Sequence, residues 1–231
     1  MSLLTLCQSV IQQTGAGASP SAIVSNTDSL AGQLLAWARR EVDLLARKHN
    51  WQALTAEHTI TTVALTESYA LPSDYGRYVS DTFWDATNHW PMRGSIDPQM
   101  WQALKRGIIV NTIRKQFRVK GSLVFLNPIP SAVETVIGEY ITSKPVTNTV
   151  GGAKTTFTLD DDTTLIPEHL VELGVTWRLL RSKGFDYSEE RDEYDRQVEI
   201  AWAQDSPAPS INFGVSSYRG LTYPNIPLIA G

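Results

Sequence analysis

The chain changes its pattern of apolar residues twice, and this limits what it can fold into. Residues 28 to 50 place Ala31, Leu34, Leu35, Ala38, Val42, Leu45 and Ala46 at helical spacing. From Trp51 the composition shifts to Thr, Val, Ile and Tyr, with breaks at Pro72, Pro91, Pro98, Gly121, Pro128 and Pro130. Helical spacing returns after Pro167, through Leu170, Leu173, Trp177 and Leu180. Helices, then strands, then helices predict an α+β protein. The N- and C-terminal helices form one bundle, and an antiparallel β module is inserted between them.

The pieces read as follows. Leu3, Leu6, Cys7, Val10 and Ile11 make one face of a first helix, which the Gly- and Ala-rich stretch from Gly15 to Pro20 ends. Asn26, Thr27 and Asp28 are candidate caps for the second helix, with Arg39, Arg40, Glu41, Asp43, Arg47 and Lys48 largely off its stripe. Strands are predicted at His58 to Val63, Tyr78 to Trp84, Gln116 to Lys120, Ser122 to Leu126 and Val133 to Thr142, with a tight turn at Lys120-Gly121. Asp97 and Pro98 open a short helix through Met100, Trp101 and Leu104. Residues 143 to 165 are polar and suggest a hairpin-like excursion through Thr155 to Leu159. A helix from Pro167 closes at Gly184, and the last one begins at Asp186 or Ser188 and stops before Ser206-Pro207. Tyr187, Tyr194, Val198, Ala201 and Trp202 face inward on it. The expected segments are thus 1–55 and 166–205 for the bundle, 56–145 for the β module, 146–165 for the excursion and 206–231 for an arm.

The 231 residues are 42% apolar and only 19% charged, which excludes a disordered tail. A net charge of −4 argues against a dedicated duplex-DNA binder. The single Cys7 excludes an internal disulfide and a Cys-based zinc site, so a reducing compartment is expected. No apolar run is long enough to span a bilayer, and residues 1 to 27 lack the basic region of a signal peptide.

Chemistry-bearing motifs are sparse. His49, His58, His89 and His169 include no pair at i, i+4, and there is no G-x-S-x-G. Gly151-Gly152-Ala153-Lys154-Thr155 lacks the glycines of a P-loop and reads as a flexible turn. Asp160-Asp161-Asp162 lacks the spaced ligands of a calcium loop and reads as an exposed acidic loop capping the helix near Pro167. A carboxylate pair for glycoside hydrolysis is defined by distance in space, so sequence alone neither selects nor dismisses one. No catalytic, cofactor-binding or metal-ligating residue is singled out.

Two charged sets stand apart instead. Arg93, Lys105, Arg106, Arg114, Lys115, Arg118 and Lys120 face one acid, Asp97, within residues 93 to 120. Glu189, Glu190, Asp192 and Glu193 lead an acidic run in residues 186 to 205, where Arg191 and Arg196 are the only cations. They are either solvated faces, complementary faces of an oligomer, or, for the basic set, a nucleic-acid patch. Residues 206 to 231 hold four prolines and one charge, Arg219, among Ile211, Phe213, Val215, Tyr218, Leu221, Tyr223, Ile226 and Leu228. Such a segment is extended and docked, on its own domain or, as an arm, on another subunit.

Several local patterns resemble the head–tail connector adaptor proteins of tailed bacteriophages. They are Trp51-Gln-Ala-Leu54, then Tyr69-Ala-Leu71-Pro72-Ser-Asp74-Tyr75, then Phe125-Leu-Asn-Pro128-Ile-Pro130 with Glu139-Tyr140, and the stretch from Leu165 to Tyr187. The resemblance covers most of residues 1 to 205 and implies a structural virion protein rather than an enzyme. Such adaptors form a ring, typically of twelve copies, beneath the portal protein. They join it to the next tail component (a nozzle, stopper or tube protein) and leave a channel through which DNA passes without sequence-specific binding. The resemblance implies a place in the neck of the virion, assembly in the host cytoplasm, an arm on the portal, no cofactor and no membrane. Another tail-completion or stopper component, a DNA-binding accessory protein and a tail-associated hydrolase are the alternative functions.

Overall fold

In the computed structural model, residues 1–106 and 114–206 are described. Helix α1 (Leu3–Thr14) starts where the Ser2 hydroxyl accepts the Thr5 N–H, and it buries Leu3, Leu6, Cys7, Val10 and Ile11. Gly15 closes it at φ 61°, a backbone region open to glycine at little cost. Helix α2 (Ser29–Lys48) buries Ala31, Leu34, Ala38, Val42 and Leu45. Glu41 corrects the sequence reading, because it lies among these residues with no exposed surface. Its spacing from Leu34, Ala38 and Leu45 is itself helical, so the position belongs to the apolar stripe and only its chemistry does not.

A single 3₁₀ turn at Gln52–Leu54 leads into the β module. Its elements are β1 (Thr55–Thr61), β2 (Ser68–Ala70), β3 (Tyr75–Tyr78), β4 (Trp84–Asp85), β5 (Trp90–Pro91), α3 (Pro98–Arg106), β6 (Gln116–Lys120), β7 (Leu123–Asn127) and β8 (Thr135–Thr142). The long β8 is the spine. It pairs antiparallel with β1, from Thr55 opposite Ile141 to Thr61 opposite Thr135, and also with β3 and β4. A second antiparallel sheet runs in the order β2-β7-β6. The strand expected at Tyr78 to Trp84 is broken into β3 and β4, with Asp81 between them at φ 61°. Gly121, also at φ 61°, sits in the turn that sets Lys120 opposite Leu123. Asp97 caps α3 as expected, its carboxylate accepting the Met100 N–H at 2.9 Å. Ile60, Phe83, Met92, Phe117, Val124, Leu126 and Val136 form the module's own core. There Gly138 is required by packing: a Cβ would come within 2.5 Å of the Phe83 ring.

Residues 146 to 165 are more structured than the sequence suggests. Strands β9 (Val146–Thr147), β10 (Ala153–Lys154) and β11 (Thr163–Thr164) make a small sheet, and the Thr155 to Leu159 stretch is not paired. Of the three aspartates only Asp161 is exposed, and they do not cap the later helix. Asp162 is fully buried, accepting the Thr158 and Leu159 N–H groups and ion-paired with Lys154. The Asp160 carboxylate accepts the Ile23 and Val24 N–H groups at 3.0 and 2.8 Å. The Asp162 and Asp160 carbonyls accept the Leu3 and Leu4 N–H groups, which are the unpartnered donors of α1's first turn. The loop therefore caps the first helix rather than the one it precedes.

Helix α4 (Glu168–Lys183) packs against α1, α2 and α5 (Ser188–Asp205), and Gly184 closes it at φ 77°. Contact with three helices widens its buried face to Leu170, Val171, Gly174, Val175, Thr176 and Leu179. The expected Leu173, Trp177 and Leu180 lie at the margin of that face, because the centre of the bundle is one residue round the helix. Bundle and β module meet at the end of α2. The fully buried Trp51 donates its indole N–H to the Leu45 carbonyl at 2.8 Å. Arg77 of β3 donates to the Ala46 and His49 carbonyls, satisfying acceptors that the end of α2 leaves open.

Candidate assembly surfaces

The basic set divides once strand parity is applied. Along β6, Phe117 and Val119 face the module core, and Lys115 shares their parity. Lys115 is therefore buried, 9% exposed, with its ammonium between the Asp85 and Glu134 carboxylates. This corrects its place in an exposed basic face: its charge is engaged inside the subunit. Arg106, Arg114 and Lys120 are exposed and Arg118 is half-buried. Burial would lower the Lys115 pKa, but hydrogen bonds and charge from Asp85 and Glu134 outweigh it and hold the amine above its ordinary value. Burial likewise pushes Asp85 up, and the bonds from Lys115 and Asn88 overcome that, leaving its carboxyl below the usual range.

The acidic set lies along α5. That helix buries only Tyr194, Val198 and Ala201, so most of its outer surface stays open. Glu189 and Asp192 are exposed, and Glu190 and Glu193 are half-buried. Glu193 is partly satisfied within its own helix, by an ion pair to Arg196 and by the Gln197 amide at 2.7 Å. These four acids and Leu173 line an open groove of about 900 Å³.

Beneath that face is a cluster the sequence reading missed. Glu41 of α2 accepts the Tyr194 hydroxyl of α5 and ion-pairs with Arg178 of α4. Gly174 leaves room for it, since a Cβ there would lie 2.5 Å from the Glu41 carboxyl carbon. Burial raises the Glu41 pKa more than Tyr194 and Arg178 lower it. Three helices are thereby keyed together at one polar point.

The arm residues Ile211, Phe213, Val215, Tyr218, Arg219, Leu221, Tyr223, Ile226 and Leu228 lie outside the described residues. What precedes them is fixed at the junction: Asp205 accepts the Gln52 N–H at 2.9 Å, and His49 stacks on Trp202. His58 is also structurally occupied, its Nδ1 lying 2.7 Å from the Tyr78 hydroxyl. Among the described residues, no three His, Cys, Asp or Glu side chains converge as a metal site. No helix there is long and apolar enough to cross a membrane.

The described surface thus offers basic side chains on the β module and an acidic helix on the bundle, with a buried polar cluster inside each region. A structural protein of the phage adaptor class accounts for this arrangement. The sequence model of the SU10 adaptor protein family matches residues 1–207, and the chain belongs to that family. No curated protein matches it.

Proposed function

We propose that the chain is a virion structural protein that forms a ring beneath the portal and links it to the next tail component. DNA passes through the centre of the ring. The observation that carries this reading is the family match across the bundle and β module together. The mildly acidic balance suits a channel along which DNA slides. The acidic face of α5 and the basic edge of Arg106, Arg118 and Lys120 sit on different elements, which suits contact between neighbouring subunits. Residues 206 to 231 act as the arm that docks on the portal, with Phe213, Tyr218 and Tyr223 as anchors.

Electron microscopy of the chain mixed with its phage's portal tests this: a ring on the portal's narrow end is expected. A chain lacking residues 206 to 231 should keep its thermal melt and lose the portal in a pull-down. Normal portal binding with a much lower melt would instead assign the arm to its own domain.

A further inference from the structure

The far end of the β module carries an apolar surface that no other described residue covers. β1 and β8 run from the bundle to this tip, where Thr61 lies opposite Thr135. Val63, Leu65, Trp90, Ile129 and Val133 are exposed there, Leu65 at 87% and Val133 at 68%. The loops 63–66 and 129–133 contain no charged residue. Scattered exposed apolar side chains are ordinary, but several on two loops bonded to each other mark an interaction site, with Asp85, Lys115 and Glu134 beside Trp90 and Ile129 at its margin.

The tip is also built to stay in shape. Leu65 stands at φ 63°, a region that non-glycine residues enter rarely and at a cost. Three contacts hold it there. The Leu65 N–H bonds the Pro130 carbonyl at 2.9 Å, and the Thr66 N–H bonds the Val63 carbonyl at 3.1 Å. The Tyr69 hydroxyl accepts the Val63 N–H and donates to the Thr66 carbonyl. The buried Thr62 ties the second loop to the first through the Ala132 carbonyl and the Glu134 N–H. A strained backbone presents a large apolar side chain to water on a rigid turn, an arrangement that folding alone would not favour. It suits a preorganised knob.

The same chain holds a recess that fits it. Tyr75, Tyr78, Ser80, Ser95, Phe117 and Val119 line a cavity of about 360 Å³ on the β module, which is room for a leucine side chain and a neighbour. It lies toward the bundle: Tyr78 is opposite Tyr140 on β8, whereas the tip begins at Thr135. Five residues of strand correspond to roughly 17 Å at the usual rise. The turn that carries Leu65 is tied in place, so the knob cannot fold back into its own subunit's recess. Knob and recess are different patches of one surface, and such a pair makes a head-to-tail contact that repeats around a ring.

We propose that the Leu65 turn of one copy inserts into the Tyr75–Phe117 recess of the next copy. The proposal rests on the ring reading above and supplies it with a specific apolar contact besides the charged faces. Leu65→Asp is a clean probe, because aspartate tolerates the left-handed backbone region and the side chain touches solvent in the isolated subunit. Ser80→Trp fills the recess from an exposed position. Sedimentation of the full chain over a concentration series, alone and with portal, is the measurement. The wild-type chain should self-associate. Each variant should weaken association roughly 30-fold or more, as a hot spot does, with an unchanged melt. An equimolar mixture of the two variants should recover one-to-one pairs, since one intact knob and one intact recess remain. Wild-type-like association of Leu65→Asp, a mixture that stays unpaired, or a wild-type chain that never self-associates would overturn the contact. A wild-type ring on the portal that ignores both variants sinks the knob and leaves the adaptor reading standing. Self-association that both variants break, in a chain that ignores portal, does the reverse.

Discussion

Among the described residues, the bundle helices and the β module each bury an ionic cluster, and these two are built in opposite ways. In the bundle, one carboxylate, Glu41, meets one guanidinium, Arg178, and a phenol, Tyr194. In the β module, one amine, Lys115, sits between two carboxylates, Asp85 and Glu134. Removing a central group therefore leaves different remnants. Without its charge, Glu41 leaves an arginine that still donates to the Gly174 carbonyl at 2.7 Å. Without Lys115, two carboxylates share a poorly solvated site. A buried pair adds little net stability, but a buried charge that has lost its partner is expensive.

The largest effect should come from Lys115→Met, which is expected to destabilise the chain by about 3–5 kcal/mol in denaturant melts. A loss under about 1 kcal/mol would mean that water reaches Asp85 and Glu134 freely, and the contrast would collapse. Close packing is the next comparison. Gly138→Ala and Gly174→Ala each drive a methyl against a fixed neighbour, Phe83 or Glu41. Both should cost about 1–3 kcal/mol. Gly138→Ala should sit at the upper end, because a helix interior repays up to about 1 kcal/mol for replacing glycine with alanine, and a strand, where alanine too is disfavoured, repays less. Equal losses at the two sites would show that helix propensity is not what separates them.

A smaller effect is expected from Glu41→Gln. The amide still accepts from Tyr194 or Arg178, so the melt should move by about 1 kcal/mol or less. A loss near that of Lys115→Met would show that the carboxylate charge itself locks the bundle.

The smallest effect should appear in the pH dependence. Asp85 is held below its ordinary value, so its contribution is complete above the unfolded pKa of about 3.9 and is lost as pH falls through the lower folded value. Glu41 is raised above its ordinary 4.5, so its contribution is complete below that value and is lost as pH rises through the folded one. Acidifying from neutral toward pH 4.5 should thus strengthen the bundle slightly and weaken the β module slightly, because burial holds the His58 imidazole below its ordinary value. Below about pH 4 the module should weaken further, as Asp85 takes up its proton. Hydrogen-exchange protection of β6 to β8 against α2 and α4 would read this, and parallel loss in both regions would refute it.

Much of the molecule was legible in its sequence, for a local reason. Helix stripes, Gly15 and Gly184 as stops, Asp97 as a cap, and the β6–β7 turn at Gly121 depend on residues within one or two turns of each other, and periodicity and backbone preference report them. The order of these elements also determined the α+β layout. Tertiary structure alone decided what the polar residues do. Glu41 sits on an apolar stripe and Lys115 on the buried parity of β6, yet both read as solvated when charge is considered without a partner. Their partners, Arg178, Tyr194, Asp85 and Glu134, lie far away in the chain and are brought close only by the fold. The aspartates at 160 and 162 cap a helix that begins at Leu3, a pairing across most of the chain that no local pattern encodes. Side-chain burial and pairing are set by what packs opposite a residue, and that is a property of the assembled fold.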